Sequence, residues 1–180
     1  MIKDLFEDPA EGTAPTMRQL SFLLDAGVPL DAIVAPWCLR VARVAFPERW
    51  RYAPSPMGDP SFVFAVIASD GIIDLAAWHP RTGRIGTRLG IGGLLGEGQI
   101  GRDGLGTTGL PLPVLRTPAD WLMAHRKGLV VVDPQAAAYR LAGMTLHAVD
   151  VGHGRDLRDM LSLPRPFIVV PAQTRERIAA

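Results

Sequence analysis

Residues 62–78, FVFAVIASDGIIDLAAW, are the stretch that decides the fold. Residues 62–68 are apolar throughout and are typical of a buried strand, while residues 69–71, Ser-Asp-Gly, are a turn signal. Residues 72–78 then have the character of a returning strand. The sequence therefore predicts an antiparallel hairpin, preceded by a loop rich in Pro, Ser and Gly at residues 47–61.

Two further segments extend the hairpin downstream. Residues 79–83, HPRTG, predict a second turn and residues 84–89 a third strand, so that residues 61–90 form an antiparallel β-meander. The chain then becomes rich in glycine, because residues 83–109 hold 11 of its 19 glycines. Long loops are uncommon in compact domains, and residues 83–109 are predicted to be either a long ordered loop or a flexible flap, with residues 90–113 as the Gly-rich loop between the meander and the next unit.

The segment upstream of the hairpin is predicted to be helical. Residues 1–15 form a loose lead-in broken by Pro and Gly, and Thr16 is placed to cap the helix that follows. A second helix is expected to kink or split at Pro36 and to end at Pro47. Residues 16–47 therefore predict a pair of helices.

Strands and helices alternate over residues 117–171, beginning with a helix that Thr117 caps. Short apolar strands are predicted at residues 129–132, 145–151 and 167–170. This alternation favours parallel strands joined by right-handed crossovers. The predicted fold class is α/β or α+β, with an N-terminal helical pair, a small antiparallel β-meander and a C-terminal short parallel α/β unit.

Composition places these elements in a single domain, residues 1–180, with 48% hydrophobic and 21% charged residues. A net charge of +1 gives no strong field, so nucleic-acid binding is not indicated by charge. The single cysteine, Cys38, excludes a disulfide within the chain. With neither a signal peptide nor a long apolar run, we expect a cytoplasmic protein without a membrane span.

The carboxyl ends of the predicted parallel strands carry the first candidate site. Asp133 ends one strand, and Asp150 and His153 follow the next, at the edge where open parallel sheets bind ligands. Such side chains can hold a divalent metal or act as a general base. Asp133, Asp150 and His153 are therefore the candidate catalytic residues and metal ligands.

The loop after Asp150 is also a candidate anion site. Gly152 and Gly154 would let the backbone approach a ligand closely, and Arg155 would add a bidentate contact at the start of a helix. The alternative is structural: the glycines satisfy the geometry of a turn, Asp150 or His153 caps the helix, and the charges are solvated.

A second candidate site combines Asp74 with the strand end Trp78-His79-Pro80-Arg81. His79 closes a strand beside a turn and lies close to an arginine, so it could bind a phosphate or a metal. The alternative is a packed aromatic residue followed by a turn. Both alternatives stay open at this point.

The N-terminal helices also have the look of a helix–turn–helix. A second helix that reads DNA presents Arg, Lys, Asn or Gln to base edges, but residues 30–36 offer only Asp31 as a polar side chain. A packing hairpin is therefore favoured over a DNA-binding module.

Four segments carry a resemblance: LLDAGVPLDAIVAP, IIDLAAWHPRTGRIGTRLG, VLRTPADWLMAHRKGLVVVDP and VDVGHGRDLRDML. They resemble a group of proteins from alphaproteobacterial prophages and related mobile elements, and the likeness spans nearly the whole chain. It implies an intracellular accessory protein of a phage or mobile element. It implies no activity and transfers no catalytic residue.

The chain is also, more weakly, similar to toprim domains, the metal-binding folds of primases and topoisomerases. The alternating strands and helices and the Asp150 loop are compatible with that fold. Where the family has a Glu after its first strand, this chain has Asp133-Pro134, and the family's paired aspartates are reduced to Asp150-Val-Gly. The resemblance therefore does not imply a complete two-part magnesium site.

These observations predict a non-enzymatic accessory or interaction protein of a prophage or mobile element, with no cofactor. It would act through a protein partner or self-association. The first alternative is a metal-dependent, toprim-like enzyme acting on nucleic acid or nucleotides, with Mg²⁺ or Mn²⁺ at Asp133, Asp150 and His153. The second alternative is a DNA-binding module that uses the N-terminal helices.

Overall fold

The computed structural model describes residues 11–34, 39–69, 71–101, 105–106 and 110–162. The strands within these residues are β1 (Arg40–Glu48), β2 (Arg51–Pro54), β3 (Asp59–Ala68), β4 (Gly71–Trp78), β5 (Ile85–Thr87), β6 (Leu94–Leu95), β7 (Leu112–Val114), β8 (Val130–Val131) and β9 (Leu146–Ala148). The α-helices are α1 (Met17–Asp25), α2 (Leu30–Val34), α3 (Pro118–Met123), α4 (Pro134–Arg140) and α5 (Val151–Leu161). A 3-10 turn covers Glu97–Gln99. The chain thus mixes helices and strands, as predicted.

Strands β1 to β5 close into a barrel in the order β1-β2-β5-β4-β3. The predicted hairpin is confirmed, with Phe62 opposite Trp78, and β5 pairs antiparallel with β4. The sheet is more than the predicted meander, because β1 pairs with both β2 and β3, and Arg51 pairs in parallel with Thr87. Residues 47–61, predicted to be a loop, contain β2 and the start of β3.

The helix predicted to run to Pro47 is wrong in its second half, which is strand β1. Alternate side chains of this strand are buried, as Ala42 and Val44 are, while Arg43 between them is exposed. This period of two, and pairing on both edges, outweigh the helix propensity of Ala and Arg. The predicted kink at Pro36 lies outside the described residues.

The predicted strands 129–132 and 145–151 do not pair with each other directly. Strand β7 lies between them and runs parallel to both, through the Val114–Leu129 bridge and through β9. Strand β8, within the predicted strand 129–132, pairs antiparallel with β6. Strand β9, within 145–151, pairs in parallel with β7. The partners come from the glycine-rich side of the chain, where a loop was predicted for residues 90–113. The predicted strand 167–170 lies outside the described residues.

Helix α3 begins at the predicted position, and α3 and α4 both begin at local caps. The hydroxyl of Thr117 accepts the N–H of Asp120 at 3.1 Å, and the Asp120 carboxylate accepts the N–H of Thr117 at 3.0 Å. This reciprocal pair is a capping box. Asp133 caps α4 by accepting the N–H groups of Gln135 and Ala136.

The buried carboxylate of Asp74 on β4 holds the segment that follows β5. Its Oδ1 accepts the N–H groups of Leu75 at 2.7 Å and Leu89 at 2.9 Å. Its Oδ2 accepts those of Ile91 at 2.8 Å and Gly92 at 3.0 Å. Asp74 is fully buried, so these four bonds replace the water that a carboxylate would otherwise need. The first part of the glycine-rich segment is therefore ordered by one side chain.

The end of the predicted loose lead-in is packed against the barrel, which corrects that prediction. Thr13 forms an antiparallel bridge with Val41. The carboxylate of Glu11 is buried; its Oε1 lies 2.7 Å from Nε of Arg88, and its Oε2 accepts the hydroxyl of Tyr52 at 3.0 Å. Burial and the neighbouring Glu11 charge raise the pKa of Tyr52, which keeps the phenol a donor.

Apolar side chains on both faces of the β3–β4 hairpin are buried. One face, including Val63 and Leu75, fills the barrel interior. The other, including Phe64 and Ala76, packs against helices α1 to α3. A further cluster joins β7 and β8 to α4 and α5. Within the described part of the chain, no helix combines the length and the apolar character needed to cross a membrane.

Candidate functional site

A pocket of about 460 Å³ opens between helix α1 and the turn that follows β4. Helix α1 brings Arg18, Gln19 and Phe22 to this pocket, and the turn brings His79 and Arg81. The volume is in the range of small-molecule sites, roughly 300–1,000 Å³. We call it the α1–β4 pocket.

Three stacked aromatic rings form a row, and the row ends at the α1–β4 pocket. Phe62 stacks on Trp78 with ring centroids 5.9 Å apart, and Phe22 stacks on Phe62 at 6.4 Å. Phe62 and Trp78 are buried, whereas Phe22 is 47% exposed. The row therefore ends in a partly open ring, and such rings in pockets offer a surface to a planar ligand.

His79 is buried and is oriented by the turn that it begins. Its Nδ1 accepts the N–H of Thr82 at 3.1 Å and lies 2.9 Å from the Thr82 hydroxyl oxygen. The same turn is closed by the bond from the Gly83 N–H to the His79 carbonyl at 2.9 Å. Because Nδ1 accepts the Thr82 N–H, the neutral ring carries its proton on Nε2. This use of Nδ1 fits the alternative of a packed aromatic residue followed by a turn, and Nε2–H is left as a donor.

The charged side chains that line the α1–β4 pocket are arginines. Arg18 and Arg81 are exposed, and in the described part of the chain neither forms an ion pair with a carboxylate. Other arginines are matched to acids, as Arg51 is to Asp133 and Arg140 to Glu97. None of the described residues that line the pocket is acidic. The pocket therefore suits a ligand that carries negative charge.

Asp74, predicted together with His79, takes no part in this pocket. All of its described bonds are the four from backbone N–H groups, and its side chain is fully buried. Its role in the fold is to hold the segment after β5 through these hydrogen bonds.

Asp150 and His153 are brought together, but as parts of a helix cap. Asp150 caps α5 by accepting the N–H of His153 at 2.9 Å, and its oxygens lie 2.8 and 2.9 Å from one guanidinium nitrogen of Arg116. The Arg116 hydrogen bond, the largest cause, holds the pKa of Asp150 below its usual value. The Nδ1 of His153 accepts the N–H of Val149 at 3.2 Å. Asp150 is therefore the N-cap of α5, one of the roles that the structural alternative gave it.

Asp133 does not join Asp150 and His153. Its Oδ2 lies 2.5 Å from NH1 of Arg51, which belongs to barrel strand β2. Among the residues that the structure describes, no three His, Cys, Asp or Glu side chains are grouped so that they could hold a metal ion. The three predicted ligands are therefore not assembled into one site, because Asp133 and Asp150 form ion pairs with two different arginines.

The predicted anion loop is also different in form. Helix α5 begins at Val151, so Gly152 and Gly154 lie in its first turn and do not form a loop ahead of it. Arg155 is exposed on the same helix. A Cβ at Gly154 would lie 3.7 Å from the Ala148 Cβ, an ordinary contact, so this glycine is not required by a close approach.

Acidification should reduce stability partly through His153. Burial, and then the charge of Arg116, lower the pKa of His153, and protonation of Nδ1 would break its bond from Val149. The unfolded chain then binds a proton at a higher pH than the folded protein. This contribution is present above the unfolded pKa of about 6.5 and is lost as pH falls through the lower folded pKa.

Urea unfolding between pH 7.5 and pH 5 measures this effect. We expect His153→Gln to have a flatter pH dependence than the wild type, by at most about 1.4 kcal/mol per pH unit. The control is His147→Gln, on an exposed position of β9. An unchanged slope in His153→Gln would contradict the assignment.

Sequence reasoning missed Arg18, Gln19 and Phe22 as pocket residues. They look like ordinary positions of an amphipathic helix, and they meet His79 and Arg81 only because α1 packs on the hairpin. The one available signal was the Trp-His-Pro-Arg strand end itself. Comparisons of the chain with models of protein families, with curated proteins and with solved structures give no match.

Proposed function

We propose that this protein is a non-enzymatic accessory or interaction protein of a prophage or mobile element, working in the cytoplasm. It would act by holding an anionic group of its ligand or partner in the α1–β4 pocket. The observation that carries the proposal is that Arg18 and Arg81 line one pocket with the stacked rings of Phe22 and Phe62, and that neither arginine has an acidic partner among the described residues. The resemblance to prophage proteins supports the cellular setting.

The use of the candidate acids supports a binding protein over the two alternatives. Asp133 and Asp150 each hold a helix N-terminus and an arginine, which are structural tasks. A magnesium enzyme would need these acids free and close together. A DNA-binding module would need a reading helix, and α2 has five residues, of which Asp31 is the polar one. Exposed Met17 at the start of α1 offers a protein partner an apolar contact.

The proposal predicts that the protein binds inorganic pyrophosphate and that Arg81→Gln weakens this binding about tenfold. The loss of one charge-assisted contact worth about 1.4 kcal/mol has that effect. Isothermal titration at low salt measures the affinity, and Arg18→Gln should behave in the same way.

The matched control is Arg155→Gln, which removes an identical charge at the other anion site that the sequence suggested. It should leave pyrophosphate binding unchanged. Equal weakening by Arg155→Gln would place the anion on α5, and no binding by the wild type would refute the proposal.

A further inference from the structure

We propose that the ligand of the α1–β4 pocket is a nucleoside phosphate, whose base stacks on Phe22 and whose phosphate lies between Arg18 and Arg81. The same chemical group occurs as a free nucleotide and as the phosphorylated end of a single strand. This inference rests on the proposed function, because it requires that the pocket binds an anion.

The aromatic row gives the first argument. Phe22 stacks on Phe62 at an interplanar angle of 24°, and Phe62 stacks on Trp78 at 26°. The outer ring, Phe22, is half exposed and lines the pocket. A fourth planar ring laid on it would continue the row, and bases stack on such platforms whatever their identity.

The hydrogen-bonding groups of the lining give the second argument. The Oε1 of Gln19 already accepts the N–H of Thr16 at 2.7 Å and its hydroxyl at 2.9 Å, which leaves the amide NH₂ as a donor. His79 is left with Nε2–H, as its Nδ1 is used by Thr82. These groups and the two guanidiniums are all donors. A lining of donors fits the acceptor oxygens of a phosphate and sugar.

The experiment compares a nucleoside monophosphate with ribose 5-phosphate, which has the same phosphate and sugar but no base. For the wild type we expect the nucleotide to bind at least about fivefold more tightly, as base stacking on an aromatic side chain implies. Phe22→Leu keeps an apolar side chain and should abolish this difference, so that the nucleotide binds this variant no more tightly than ribose 5-phosphate does.

The matched control is Tyr139→Leu, which removes an aromatic ring that is 68% exposed on α4. It should retain the full preference for the nucleotide. Thermal unfolding of both variants verifies that they are folded, so that a lost preference reports on the pocket.

The two sources of the ligand are separated by a third probe, a 5′-phosphorylated single-stranded tetranucleotide. Tighter binding of this strand, with an affinity that falls steeply with salt, would identify a strand end as the source. Affinity equal to that of the mononucleotide would identify a free nucleotide. Both outcomes support the shared chemistry.

Other outcomes overturn the inference and distinguish it from the proposed function. If the nucleotide and ribose 5-phosphate bind equally, or if Phe22→Leu retains the preference, the base does not stack on Phe22 and the inference fails. If pyrophosphate still binds in that case, the anion pocket stands. If pyrophosphate does not bind either, both proposals fail.

Discussion

Asp74→Ala should lower the free energy of unfolding by about 3–5 kcal/mol, the usual cost of breaking a buried charged network. The side chain is fully buried, and its two oxygens accept four backbone N–H groups at 2.7 to 3.0 Å. Alanine would leave those donors without a partner and without water. Each buried unsatisfied donor costs about 1–3 kcal/mol, although relaxation of the segment would recover part of the sum.

Urea unfolding measures this change, and Asp74→Asn provides a milder variant if alanine does not fold. Asparagine keeps one acceptor oxygen, but its NH₂ must face two of the N–H donors. The matched control is Asp25→Ala, an exposed acid at the end of α1, which should change stability by less than about 0.5 kcal/mol. A loss below about 1 kcal/mol for Asp74→Ala would show that the segment after β5 is held by other contacts.

Glu11→Ala should lower the free energy of unfolding by about 2–4 kcal/mol, since truncating one partner of a buried ion pair leaves the other without compensation. Glu11 is 2% exposed and contacts both Arg88 and Tyr52. Arg88 is only partly buried and can regain water, which keeps the cost below that of Asp74→Ala. The hydroxyl of Tyr52 cannot regain water, because Tyr52 is 1% exposed.

A double-mutant cycle separates the two contacts of Glu11. Tyr52→Phe removes the phenol hydroxyl alone, and Arg88→Met removes the guanidinium but keeps a long side chain. We expect Glu11→Ala to cost less in either background than in the wild type, in unfolding followed by circular dichroism. Additive costs would show that Glu11 acts independently of both residues.

Local signals explain what could be predicted from the sequence. The starts of α3 and α4 follow from Thr117, Asp120 and Asp133, whose cap partners lie within three residues along the chain. The β3–β4 hairpin follows from two apolar runs around a Ser-Asp-Gly turn. The same kind of local signal, an Asp directly before a helix, predicts a cap role for Asp150 beside a ligand role.

Non-local pairing explains what could not be predicted. Strand β1 contains Ala and Arg, which suit a helix, and it becomes a strand because β2 and β3 pair with it on both sides. The role of Asp74 depends on backbone N–H donors up to Gly92. Every residue type except proline has such a group, so the sequence does not show which of them Asp74 binds. Arg18 and Arg81 line the same pocket only because of tertiary packing, so no sequence motif predicts the α1–β4 pocket.

The closure of the barrel through Arg51 and Thr87 has a kinetic consequence. The hairpin partners β3 and β4 are adjacent in sequence, whereas this parallel pair must bring together residues separated by the whole hairpin. Long loops cost more entropy to close than short ones, so we expect the hairpin to form early on the folding pathway and the β2–β5 pairing to close late. Weakening this pairing should then accelerate unfolding and leave the folding rate nearly unchanged, so that the pairing governs the lifetime of the native state.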